Sequence, residues 1–292
     1  MPGMRETTLS LTSGDGIEVF IYRWTPSVTP RAVIVIAHGL GEHAARYRRF
    51  AITLTALGYL GYAPDHRGHG RTAGGPHAYG DLGEGGWQGL VDDLHSVVAM
   101  ARADHPELKV LLFGHSLGSM ATQQFLFDHS HEVDAVVLSG TTAADLLTAQ
   151  MDPNAEADLS SFNAPFEYRT GFEWLSRDEA EVDAYVADRA CGFGLRPSAM
   201  PGWLSAMSTT GDPQRLAGIR PDLPILLVSG GDDPLAAGGD LIELVARRYR
   251  EAGVRDVRVT IHPRARHEIL NEINRAEIVA DILSFVDETV GD

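Results

Sequence analysis

Val110-Leu111-Leu112-Phe113-Gly114-His115-Ser116-Leu117-Gly118-Ser119 is the stretch whose reading decides the fold. An apolar run suited to a buried strand meets Gly114, and a helix-like segment, Met120 to Asp128, follows directly. At the junction stands G-x-S-x-G with Ser116 at its centre, the pattern of a strand that turns sharply into a helix and holds the serine at the tip. A Cβ at Gly114 or Gly118 would collide, because the turned backbone passes close to its neighbours. The turn strains the serine's backbone and pushes its Oγ out beyond the strand. Leu117 opens the helix, so its N–H has no intrahelical acceptor and points at whatever binds there. Glycines and small polar residues alone make an ordinary turn. With the strand before and the helix after, Ser116 is expected to be a nucleophile.

Upstream, Ile17 to Trp24 alternates as an early strand, and Arg31 to Ala37 is a β-branched run of the kind buried on both faces of a sheet. A helix is expected around Tyr47 to Leu57, ending at Gly58 as its C′ residue. Tyr59 to Ala63 reads as a strand and Trp87 to Ala103 as a helix. Downstream of the serine, Val133 to Ser139 is the next strand. The rhythm then breaks from about Thr141 to Leu223, where no strand-like run occurs and Phe162, Phe166, Phe172, Trp174, Met200, Trp203 and Met207 accumulate among acidic helical stretches such as Ser176 to Asp188. It resumes with the strand Leu223 to Ser229, a helix over Leu241 to Arg250, the strand Val257 to Ile261 and a closing helix from Arg275 to Thr289. Strands alternating with helices, without hairpin signals, predict an α/β fold with a mostly parallel central sheet and helices on both faces. The core is assigned to 1–140 and 223–292, and 141–222 to a helical cap, or lid, inserted over the carboxyl ends of the strands.

The 292 residues suffice for such a domain, and 44% apolar with 22% charged residues is an ordinary globular composition. A net charge of −16 argues against nucleic acid as a partner, since phosphates require a basic surface. It also argues against adsorption to anionic lipid by bulk charge, although an apolar patch on the cap could touch a membrane or lipid aggregate transiently. Cys191 is the only cysteine, so no internal disulfide forms, and Met1 to Gly16 has no signal-peptide h-region. A cytoplasmic protein is expected. The oligomeric state is open.

A serine needs a base to take its proton and an acid to orient the base. On this architecture the order is Ser, then Asp or Glu, then His, each following a later strand. The strand ending at Ser229 delivers Gly230-Gly231-Asp232-Asp233-Pro234, and the one ending at Ile261 delivers His262-Pro263-Arg264-Ala265-Arg266-His267. Asp232 and Asp233 compete for the acid. His262 still belongs to its strand and is locked by Pro263, so His267 is preferred as the base. An oxyanion needs preorganised donors. Leu117 N–H is one, and Leu40 N–H, freed to turn inward by Gly39 and Gly41, is the second.

His38-Gly-Leu-Gly-Glu-His43, Asp65-His-Arg-Gly-His-Gly70, Gly114-His-Ser-Leu-Gly118, Gly230-Gly-Asp-Asp-Pro234 and His267-Glu268 together resemble the monoacylglycerol lipase and lysophospholipase-like branch of the α/β-hydrolases. The resemblance covers nearly the whole chain and is weakest in the cap. It implies an α/β-hydrolase fold with Ser116 as nucleophile, Asp233 as acid, His267 as base and the Leu40 and Leu117 amides as oxyanion hole, without cofactor or metal. It also implies a small lipophilic ester as substrate, most simply a monoacylglycerol. A lysophospholipid, a thioester or a small aryl ester are the alternatives, and a ligand-binding protein that keeps the fold is the non-enzymatic one. An aminopeptidase would require an acidic pocket, and the spacing of Glu173, Asp178, Glu179 and Glu181 suits a solvent face instead. Dehalogenases and epoxide hydrolases of this fold use an aspartate where Ser116 stands. Ser119, where another glycine is common, and Thr72, where serine is usual, are departures expected to be neutral. His66 and His69 are read as parts of a turn, His115 as packing aimed away from Ser116, Asp92-Asp93 as a solvated helix face, and Cys191 as a small buried residue.

Overall fold

The computed structural model describes residues 3–149, 151–155 and 157–291. Its strands are β1 (Arg5–Thr12), β2 (Glu18–Thr25), β3 (Ala32–Ala37), β4 (Tyr59–Pro64), β5 (Lys109–His115), β6 (Ala135–Ser139), β7 (Ile225–Gly230) and β8 (Val257–His262). They form one sheet in the order β1-β2-β4-β3-β5-β6-β7-β8. β1 with β2 and β2 with β4 are antiparallel, and every later pairing is parallel. The α/β-hydrolase architecture expected from the motifs is therefore present.

The period of the strands divides the core between two faces. In β3, Val33, Val35 and Ala37 belong to one apolar cluster, and Ala32, Ile34 and Ile36 to the other. Side chains alternate across a strand, so an unbroken apolar run is what a strand covered on both sides requires. The first face is covered by α2 (Gly86–Asp104), α3 (Leu117–His129) and α8 (Asp240–Glu251), the second by α1 (Arg48–Ala56) and α9 (Arg275–Val290). Gly58 ends the α1 segment at φ 84°, the left-handed conformation that suits its missing side chain.

Between β6 and β7 the described residues hold helices and turns but no strand: α4 (Ala144–Thr148), α5 (Glu179–Ala187), α6 (Met200–Met207) and α7 (Pro213–Leu216). The acidic stretch from Ser176 starts its helix only at Glu179, because Asp178 caps it by accepting from Ala180 N. Trp174, Leu175, Tyr185, Met200, Trp203 and Met207 join the same apolar cluster as α2 and α3.

Three expectations need correction. A hairpin does exist: β1 turns into β2 through Ser13 to Ile17, with Gly16 at φ 87° and the Ser13 hydroxyl accepting from Ile17 N. The Asp92-Asp93 pair is not one solvated face. Asp92 is exposed, but Asp93 is buried and receives Arg67 Nε at 2.8 Å and Nη2 at 3.0 Å. The same buried guanidinium reaches Asp15 in the hairpin turn at 2.9 Å, so Arg67 ties together the hairpin, the loop after β4 and α2. Glu173 likewise is buried, accepting from Asn163 Nδ2 and the amides of Thr170 and Gly171. Burial pushes its carboxyl up, but hydrogen bonds led by the Thr170 hydroxyl hold it down to about 2.

Candidate active site

Ser116 sits where β5 becomes α3, at φ 50° and ψ −119°, one of three non-glycine residues with positive φ among those described. Such a conformation is costly and persists only when the surroundings impose it. Here Ser116 N donates to Ser139 O on β6 at 2.9 Å, and its carbonyl accepts from Ser119 N and Met120 N in the first turn of α3. Both flanking glycines are required by contact. A Cβ on Gly114 would lie 2.5 Å from Thr122 Oγ1, and one on Gly118 would lie 2.2 Å from Ala37 O. Ser119, the departure after the elbow, donates its hydroxyl to Ser116 O at 2.6 Å.

The loops after β7 and β8 bring Asp233 and His267 together. Asp233 Oδ2 accepts from His267 Nδ1 at 2.9 Å, and its Oδ1 accepts from Leu235 N at 2.9 Å, which fixes the carboxylate in its turn. Asp233 is buried, whereas Asp232 is exposed. His262 lies at the end of β8 with Nε2 3.5 Å from Asp281, away from this pair. His267 Nε2 is buried and has no hydrogen-bond partner among the described residues. Burial works against a charged His267, but the Asp233 carboxylate outweighs it and the imidazole is shifted upward from its ordinary value.

These side chains meet a cavity of about 200 Å³ beyond the carboxyl ends of the parallel strands, where α/β sheets hold their ligands. Ser116, His267, Leu40 and Leu117 all line it, and Asp233 stands behind His267. Neither Leu40 N–H nor Leu117 N–H donates to a described acceptor. The walls are mostly apolar, with Met120, Leu147, Leu159, Trp174, Met200 and Trp203 among their residues.

Several residues of the site had no local signal in the sequence. His115 does not point away. Its ring centroid lies 4.8 Å from that of His267, it lines the cavity, and it faces Ser139 Oγ at 3.1 Å. Burial, then the neighbouring His267, push it down to about 4, so it is a neutral wall at working pH. Trp174 packs its ring 4.8 Å from His267 and accepts from His267 N through its carbonyl. Glu42, Arg46 and Glu268 form a buried ionic cluster beneath the loops. Glu42 Oε1 accepts from Gly39 N at 2.6 Å and from Tyr47 Oη at 2.8 Å, and its Oε2 receives Arg46 Nη1 at 2.6 Å. Arg46 also forks onto Glu268, with Nη2 to Oε2 at 2.7 Å. Burial opposes the charge on Glu268, yet Arg46 holds its carboxyl down to about 2. One guanidinium thus fastens the Gly39–Leu40 loop to the residue after His267. The visible clue was the Glu42–Arg46 spacing of four, which suits a pair on one turn of helix.

The remaining histidines of the motifs are structural. His38, His66 and His69 are buried and packed together at tilted and edge-on angles, with His38–His66 centroids 4.2 Å apart, and burial lowers all three, His66 to about 3 and His69 to about 4. Thr72 accepts from Phe20 N and donates to Asp65 O, doing the work of a serine at that turn. Cys191 is partly buried, and burial pushes its thiol upward, away from a reactive thiolate. Among the described residues no helix is long and apolar enough to cross a membrane.

The family described as serine aminopeptidase, S33, matches residues 28–274. The monoacylglycerol lipase of Mycolicibacterium smegmatis is 32% identical over 277 residues, covering 93% of each chain. The monoglyceride lipase of Rattus norvegicus is 33% identical over 229 residues, 77% of this chain and 73% of its own. Among solved structures, a carboxyl esterase from Bacillus coagulans superposes with a TM-score of 0.85 at 26% identity, over 99% of this chain and 100% of that one. With the fold, the strained serine at the elbow and these relatives in agreement, the chain belongs to the S33 family of α/β-hydrolases, alongside the monoacylglycerol lipases, and is a serine ester hydrolase.

Proposed function

We propose that the chain cleaves lipophilic carboxylic esters of the monoacylglycerol type through an acyl-enzyme on Ser116. His267 Nε2 takes the Ser116 proton as Oγ bonds to the ester carbonyl carbon, and the carbonyl oxygen becomes an oxyanion held by Leu40 N–H and Leu117 N–H. The C–O bond to the alcohol then breaks, and His267 returns the proton to the leaving alcohol. Water, deprotonated by the same imidazole, releases the acid and restores Ser116. Asp233 keeps the proton of the resting imidazole on Nδ1, so that Nε2 is the free base.

The observation that carries this reading is the apolar cavity over Ser116 and His267, walled by Met120, Leu147, Trp174, Met200 and Trp203. Such a wall suits an acyl chain. Residues 141–222 are read as the cap over that cavity, supported by their place between β6 and β7 and by Trp174, Met200 and Trp203 in its lining. Exposed Leu146, Tyr168 and Val186 in the same segment are its means of touching a lipid aggregate. The family's peptidase description fits less well. Of the carboxylates in the lining, Glu42 and Glu268 are both engaged by Arg46, and Asp152 and Asp158 are exposed and accept from amides of their own turns, so no buried carboxylate stands free for an amino terminus among the described residues.

Hydrolysis of a series of esters, from acetyl to long-chain monoacylglycerol, by wild type beside Ser116→Ala tests the proposal. The expected result is a kcat/KM that rises with acyl length and falls by at least about 10⁴ in the variant. Turnover restricted to short aryl esters would sink the lipid-ester assignment while keeping the chemistry. No turnover by either protein would favour a ligand-binding role.

A further inference from the structure

Away from the cavity, three side chains converge that ester chemistry does not use. His95 projects from α2, His129 is the last residue of α3, and Glu132 closes the short turn after it. His95 Nε2 lies 2.9 Å and His129 Nδ1 3.5 Å from one oxygen, Glu132 Oε1. The two imidazoles stack with centroids 3.8 Å apart and planes 12° from parallel. His131, well exposed, brings a third imidazole to 3.7 Å from that oxygen. Among the described residues the charged partners of the Glu132 carboxylate are all histidines. Arg102, although adjacent, donates to the Glu132 carbonyl and to Asp134 instead.

We propose that His95, His129 and Glu132 bind a transition-metal dication of the Zn²⁺ type. Each offers one ligand atom, all within 4.8 Å of one another. Zinc bonds of about 2.0–2.2 Å at tetrahedral angles set ligand atoms about 3.3 Å apart. The 2.9 and 3.5 Å separations bracket two of the three edges, and one of the near-parallel rings turns about its side-chain bonds to bring both nitrogen lone pairs onto the ion. On entry the ion takes the lone pair of His95 Nε2, so a neutral ring carries its hydrogen on Nδ1 and a charged ring releases one proton to solvent. Two imidazoles and a carboxylate suit zinc better than calcium or magnesium, which prefer all-oxygen sites. His131 or water completes the fourth position. Arg102 holds the main chain of Glu132 in place, the outer support that metal ligands need. The bound ion would fasten α2 to the end of α3, just before β6.

A second group, His43, Asp188 and Cys191, also lies within ligand distance and could take up zinc. The test separates the two by working in a Cys191→Ser background. Chelator-stripped full-length protein is titrated with Zn²⁺ by calorimetry, and its melting temperature is followed with and without zinc. The site predicts one zinc per chain in that background, a zinc-dependent rise in Tm, and at least about tenfold weaker binding in both His95→Ala and Glu132→Gln. Glu132→Gln preserves shape, so a fold lost only in His95→Ala leaves the comparison intact. Absence of zinc binding, or binding and Tm shifts unchanged in Glu132→Gln, would overturn the proposal. So would binding that disappears with Cys191→Ser alone.

Discussion

Two imidazoles share the floor of the cavity and are tuned in opposite directions. His115 is pressed down to about 4, first by burial and then by His267, while His267 is raised because Asp233 outweighs its burial. A general base works unprotonated, so in the proposed mechanism activity is lost as pH falls through the His267 value. The acid limb of kcat/KM should therefore lie above the ordinary imidazole value of about 6.5. Asp233→Asn should move that limb to lower pH and cut kcat by about 10⁴, since the imidazole loses both its partner and its tautomer. Asp232→Asn, at an exposed side chain, should change kcat by no more than about threefold. A limb below 6.5 in wild type, or equal losses in the two variants, would contradict the pairing of His267 with Asp233. In the sequence the acid was ambiguous by one position, and only the family pattern favoured Asp233. Burial supplies the physical distinction, and burial depends on how β7 and β8 meet.

At the level of elements, the elbow was legible because everything it needs lies within ten residues. At Gly114 and Gly118 an added Cβ would lie 2.6 and 2.2 Å from backbone carbonyl oxygens, which no side chain could tolerate. The hairpin was not legible. β1 is an edge strand with five of its eight residues exposed, and its alternation of Thr7, Leu9 and Leu11 carries little apolar signal. Asp93 was misread because its partner is 26 positions away, where no periodicity connects them. That contact has a measurable consequence. Arg67→Ala leaves Asp93 buried without a cation, and denaturant unfolding should show a loss of about 3–5 kcal/mol. Asp92→Ala on the exposed side of the same helix should stay within about 0.5 kcal/mol. Similar values for both would mean that the Arg67 cluster does not hold the hairpin, the β4 loop and α2 together.

Across the whole molecule, strand order and site cannot be separated. β3, β5, β7 and β8 each end on a loop that reaches the cavity or its acid, so one parallel sheet assembles Leu40, Ser116, Asp233 and His267 from positions spread over more than two hundred residues. The aromatic residues between β6 and β7 could be read from sequence as a private core or as a substrate wall. They form no separate core: Trp174, Met200 and Trp203 belong to the main apolar cluster and also face the cavity. Trp174 O further anchors the His267 amide, so this segment supports the proposed base as well as the cavity wall. The central claim is that Ser116 carries the acyl group, and it is tested most directly by intact-mass spectrometry of enzyme quenched during turnover of a slowly deacylated ester, with peptide mapping of the adduct. The account predicts a single acyl increment on the peptide containing Ser116, absent from Ser116→Ala. Turnover without an adduct under such conditions, or an adduct on another residue that persists in Ser116→Ala, would contradict it.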